Sequence, residues 1–114
     1  MAKKKPQKLF KGSDLVMTLN MTDKLGKQIN LLDEDSVAEV SVKIFTKTTP
    51  PKYAVELHQC DIEEGNVIRV DDSKIASLSP GVIYLEYDIK FYSDEMEDGF
   101  LNFTKIEQTN IILQ

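Results

Sequence analysis

The chain has 114 residues, 29% of them charged, and a net charge of −5. That length makes one domain, able to bury roughly two thirds of the surface of its unfolded chain without staples. Cys60 is the single cysteine, which excludes an internal disulfide and a cysteine-built zinc cluster, and no apolar run is long enough to cross a bilayer.

The charge is unevenly placed. Residues 1–11 carry five lysines and no acid, leaving nine basic and nineteen acidic groups, net −10, on the rest. Phosphates need a basic footprint, so the acidic body does not suit nucleic acid, and only the arm could meet a genome. The basic start never reaches an apolar h-region, so no secretory signal is expected. Without export, the triplets Asn20-Met21-Thr22 and Asn102-Phe103-Thr104 carry no weight as glycosylation sites. A lone thiol suits a reducing compartment, or a protein that never needed a bridge.

Residues 1–8 form a lysine-rich arm without periodicity, expected to order only on a partner, and residues 9–114 form the body. Residues 8–11 read as a short edge strand ending at Gly12. Over 14–21 the chain alternates, with Leu15, Met17, Leu19 and Met21 inward. A turn at Gly26 leads to a brief strand over 28–32 and an acidic loop at Asp33, Glu34 and Asp35. Over 37–46, Ala38, Val40, Val42 and Ile44 share a face opposite Glu39, Ser41 and Lys43. The β-branched content favours a strand.

Residues 47–52 hold Pro50 and Pro51, which cannot donate to a ladder, so they read as a loop. Tyr53, Val55 and Leu57 are the inner row of a further strand that fades at 59–61. Another strand covers 66–70. Residues 71–79 are the one helical candidate, capped by Asp72 or Ser73, with Ile75 and Leu78 on one side and Pro80-Gly81 as the stop.

The longest clean alternation follows, over 81–91. Ile83, Leu85, Tyr87, Ile89 and Phe91 fall on one face; Val82, Tyr84, Glu86, Asp88 and Lys90 fall on the other. Such a strand wants a core on one side and water or a partner on the other. A hairpin loop over 93–99 ends in Asp98-Gly99. The last strand, over 100–113, is expected to break near Glu107-Gln108, where the apolar phase changes. All five glycines fall between the strands. The parsing predicts an all-β fold: an immunoglobulin-like antiparallel β-sandwich of about seven strands with one short connecting helix.

Chemistry is sparse. His58 is the single histidine, with Cys60 two residues on; a polar strand end explains both better than a thiolate–imidazole pair. Asp94, Asp98 and Gly99 echo a calcium loop, but Met96 stands at a ligand position and Lys105 where the bidentate glutamate belongs. Two acidic loops could meet around a cation, which their spacing in the sequence does not decide. No glycine-rich phosphate loop and no framed carboxylate pair is present. No catalytic residue, cofactor or metal is expected. Tyrosines on a sheet face serve as protein contacts or as cross-strand packing. The contact reading is preferred, so Val82 and Tyr84 join Lys3, Lys4, Lys5, Lys8, Leu9 and Phe10 of the arm region as partner-binding candidates.

The order of motifs resembles the N-terminal immunoglobulin-like domain of tailed-phage upper baseplate proteins and related tail or head fibre proteins. The residues that carry it are Phe10-Lys-Gly12-Ser-Asp14-Leu-Val-Met-Thr-Leu19, Asp23-Lys-Leu-Gly26-Lys-Gln-Ile29-Asn-Leu31, and the valine-rich strand over 37–45. They continue as Asp71-Asp72-Ser73-Lys-Ile75, Leu78-Ser-Pro80-Gly81-Val-Ile-Tyr84-Leu-Glu-Tyr87, and Asp98-Gly99. The match runs from residue 9 onward, each motif weak alone and their order more specific.

The resemblance implies a non-enzymatic virion structural protein, an accessory capsid (decoration) subunit or a fibre or tail adaptor, present in multiple copies. It would bind capsid, fibre or tail subunits, with no membrane, in the virion and in host cytoplasm during assembly. Family members continue into long fibre regions whereas this sequence ends at Gln114, so a stand-alone module is expected. The alternative is a bacterial cell-surface or carbohydrate-binding sandwich, which would need export.

Overall fold

The computed structural model describes residues 7–10, 12–23, 25–47 and 52–114. Lys3, Lys4 and Lys5 lie outside that range. Eight strands and one short helix follow in order: β1 (Gln7–Leu9), β2 (Leu15–Thr18), β3 (Val37–Thr46), β4 (Lys52–His58), β5 (Ile62–Glu63), β6 (Val67–Val70), α1 (Asp72–Ile75), β7 (Gly81–Tyr92) and β8 (Phe100–Leu113). A single 3₁₀ turn, Gln59–Asp61, joins β4 to β5.

The strands form two sheets, one ordered β1-β8-β7-β3-β4 and the other β2-β6-β5. All neighbours are antiparallel except β1, which runs parallel to β8. This is the strand order of an immunoglobulin-like sandwich: β2, β6 and β5 take the places of B, E and D, and β3, β4, β7 and β8 those of C, C′, F and G.

β7 is the central strand of the large sheet. Ile83, Leu85, Tyr87 and Ile89 are all buried, as the alternation predicts, and face Leu15, Leu19, Ile68 and Val70 of the other layer within one core. Burial of the two apolar faces, at roughly 25 cal/mol per Å², holds the layers together. Ile75 at the end of the helix and Leu78 in the turn after it are both buried in the core.

Several expectations are corrected. No strand forms over 28–32; the segment makes an isolated bridge between Thr22 and Gln28 and then turns. Its backbone is satisfied by a side chain instead. Asn66 Oδ1 accepts from Leu31 N (2.9 Å), and Asn66 Nδ2 donates to Ile29 O (2.7 Å). Asn66 itself belongs to the turn between β5 and β6, not to the strand expected over 66–70. There Gly65 and Asn66 both adopt positive φ, at 83° and 60°, which these two residue types tolerate best.

In β3 a bulge between Val37 and Glu39 places Val37 in the core and leaves Ala38 half-buried. The inward row is therefore Val37, Val40, Val42 and Ile44. Val55 and Leu57 of β4 are buried as expected; the side chain of Tyr53 lies outside those described. The helix cap is Asp71, not Asp72 or Ser73, and its side chain makes no capping bond. Asp14, at the mouth of β2, supplies one: its Oδ1 accepts from Asp72 N at 2.8 Å. Gly81 opens β7 and so lies within a strand.

The last strand does not break. Leu101, Phe103, Lys105 and Glu107 face the same way as Phe91, Ile89, Tyr87 and Leu85, and Leu113 continues that side. The irregularity lies where the break is expected, as a bulge. β8 takes four steps from Gln108 to Ile112 where β7 takes two from Tyr84 to Val82. Odd-numbered residues stay inward through it, and Phe100, Ile106 and Ile112 are the apolar residues out of phase.

Candidate protein-docking surface

The outer face of the large sheet is made by the polar rows of four strands. Much of it is satisfied within the chain. Lys43 Nζ lies 3.7 Å from Glu86 Oε2, Ser41 Oγ donates to Glu56 Oε1 (2.9 Å) and Thr104 Oγ1 donates to Asp88 Oδ1 (2.7 Å). Lys90 Nζ sits 4.9 Å from the centre of the Phe100 ring, a cation–π contact. These cross-strand pairs hold the surface in one arrangement.

The predicted partner-binding residues separate. Lys8, Val82 and Tyr84 come together on the outer face, because Lys8 and Val82 flank Ile112 across the β1-β8-β7 ladder. Tyr84 is half-buried and stacks on Phe45, with ring centres 5.6 Å apart. Packing therefore accounts for much of its surface. Leu9 turns the other way, pairs with Leu113 and packs against the core. Phe10 stands out, 59% exposed.

Five of the eight large hydrophobic side chains exposed among the described residues lie on one hairpin: Tyr92, Met96, Leu101, Phe103 and Ile106 of β7–β8 and its loop. Two causes combine. The second sheet has three strands against five, so it does not cover the start of β8. Leu101 and Phe103 thus share the core face of the large sheet yet stay exposed. Ile106 points to the outer face, where nothing packs over it. Large exposed apolar clusters on a soluble surface mark interaction sites. Reading apolar phase as burial missed these residues. The signal in the sequence was Ile106 itself, an isoleucine between Lys105 and Glu107 out of step with its strand.

A trough runs along the inner side of this hairpin, between β2 and β8, floored by Tyr87 and rimmed by Met17, Asn20 and Glu107. Burial, together with the Glu107 carboxylate that accepts the Tyr87 hydroxyl, holds the phenol well above its usual value near 10. Tyr87 stays protonated there and serves as a donor.

His58 and Cys60 are both exposed at the end of β4. Asp33 binds its own loop, accepting from Asp35 N at 3.1 Å and from Ser36 Oγ at 3.0 Å. Asp98 likewise accepts from Phe100 N at 3.1 Å. Among the described residues no three His, Cys, Asp or Glu side chains gather as a metal would need, and the two acidic loops do not meet in such a group. No described helix is long and apolar enough to cross a membrane.

Comparison with protein-family models, curated proteins and solved structures yields no match to this chain.

Proposed function

We propose that this chain is a non-enzymatic structural protein that docks on a neighbouring protein subunit through the β7–β8 hairpin. The exposed apolar pair Leu101 and Phe103, two residues apart on one face of the hairpin, carries this reading. Burying such groups against a partner supplies the stabilisation, and a polar rim sets the register. The motif order of the sequence supports a setting in a tailed-phage particle, as an accessory capsid subunit or a fibre or tail adaptor. The lysines of residues 1–5 add a cationic segment that would steer docking on an acidic neighbour.

The experiment is co-sedimentation with assembled particles, for the full chain, for Leu101→Ser with Phe103→Ser, and for a deletion of residues 2–6. The expected result is incorporation of the full chain, strong loss in the apolar variant and slower loading of the deletion. Particles that never take up the full chain would overturn the virion setting. Full occupancy by the apolar variant would overturn the docking surface.

A further inference from the structure

The open edge of β8 has a feature that the docking proposal does not use. β1 covers β8 only at residues 111–113. Among the described residues, no strand lies on that side of β8 from Phe100 to Thr109. An edge of that length presents a row of backbone donors and acceptors to any strand that can pair with it. Native edges of this kind are often blunted by lysine, and Lys105 is such a residue. Its position relative to Glu107 decides what the edge accepts.

We infer that the occupant is a second copy of this chain, with the two β8 strands pairing antiparallel about a twofold axis through Ile106. With the axis there, Lys105 of one copy stands opposite Glu107 of the other, and Glu107 opposite Lys105. Both charges are matched by one symmetry operation, as an isologous contact requires. Thr104 faces Gln108, and the exposed Ile106 side chains meet across the axis on the outer face. In any register centred on a neighbouring residue, Lys105 and Glu107 lose this mutual pairing. A repelling edge would carry like charges opposite one another; this one carries a self-complementary triplet, Lys-Ile-Glu. Because β1 of each copy occupies residues 111–113, pairing is confined to the middle of the strand. Residues 103–109 then form a ladder roughly 23 Å long that joins two five-stranded sheets into one. This inference is independent of the virion setting and is testable on purified protein.

The test has two arms, both on the full chain. Sedimentation equilibrium should show a monomer–dimer exchange. Lys105→Glu and Glu107→Lys should each weaken it by roughly tenfold or more, since each places two like-charged pairs across the axis. The double variant should recover the affinity. Circular dichroism confirms the fold, and Lys105→Glu is the cleaner single change because it leaves the Tyr87–Glu107 bond in place. The second arm uses disulfides in a Cys60→Ala background. Facing Cα atoms lie about 4.5–5.5 Å apart, within disulfide reach. Ile106→Cys should therefore cross-link to itself under mild oxidation. Thr104→Cys should not, because two copies of residue 104 sit roughly 13 Å apart along the strands. Mixed with Gln108→Cys, it should.

A protein that stays monomeric at every concentration overturns the inference. So does a dimer indifferent to charge reversal, or one in which the Thr104→Cys variant cross-links to itself as readily as the Ile106→Cys variant. A full chain that dimerises only after residues 2–6 are removed would assign the edge to the chain's own arm.

Discussion

Asn66 Oδ1 receives the backbone N–H of Leu31 across 35 positions of sequence, and the same amide returns a bond to Ile29 O. Its own carbonyl accepts from Leu19 N at 2.8 Å. One buried side chain thus ties the segment after β2 to the β5–β6 turn, where a strand would otherwise be needed. Replacing it with alanine strands one buried and one half-buried backbone group and removes the side-chain amide that lets asparagine tolerate the left-handed region. Asn66→Ala should cost about 3 kcal/mol. Asn66→Asp should also destabilise, since it keeps the bond from Leu31 but turns an acceptor on Ile29 O. Urea unfolding measures both, and an unchanged midpoint for alanine would remove Asn66 from this role.

Thr46 poses the opposite case. It is buried in β3 and its Oγ1 has no hydrogen-bond partner among the described residues. A hydroxyl in that position costs desolvation and returns nothing. Thr46→Val keeps the shape and should stabilise the fold by about 1 kcal/mol. The thermal midpoint should rise; a fall would mean that the hydroxyl has a partner.

Tyr87 links stability to alkaline pH. Burial and the Glu107 carboxylate favour the neutral phenol, so its folded value lies above the unfolded one, near 10. The contribution is complete below pH 10 and declines as pH rises through the folded value, because the unfolded chain releases the proton first. Tyr87→Phe should therefore flatten the loss of stability above pH 10 and leave the slope below pH 9 unchanged. A stability–pH series for both proteins decides it, and identical alkaline slopes would contradict the assignment.

Asp14 caps α1 from 58 residues away. The cap joins the mouth of β2 to the crossover that leads into β7. Asp14→Ala should cost about 1 kcal/mol, the usual worth of a lost N-cap. Hydrogen exchange should report it at the amides of residues 72–76 before the sheets. Equal loss of protection in β3 would show the effect to be global.

The amino-acid sequence determined the layers of this protein. Alternation of Ile83, Leu85, Tyr87 and Ile89 against Glu86, Asp88 and Lys90 is a local property of one strand, and it survives any tertiary arrangement that offers one wet face and one dry face. The same holds for Val40, Val42 and Ile44, and for Ile75 and Leu78 beneath the crossover. Tertiary structure decided everything that depends on which segment meets which. Only there does Asn66 stand in for a strand partner of Ile29 and Leu31. Only there does β8 absorb two extra residues rather than break. The exposure of Leu101 and Phe103 has the same origin: their phase is that of core residues, but a three-stranded layer does not reach them. Side-chain period is written along the chain, whereas the extent of the opposing sheet and the free length of an edge are set by contacts between residues far apart in it.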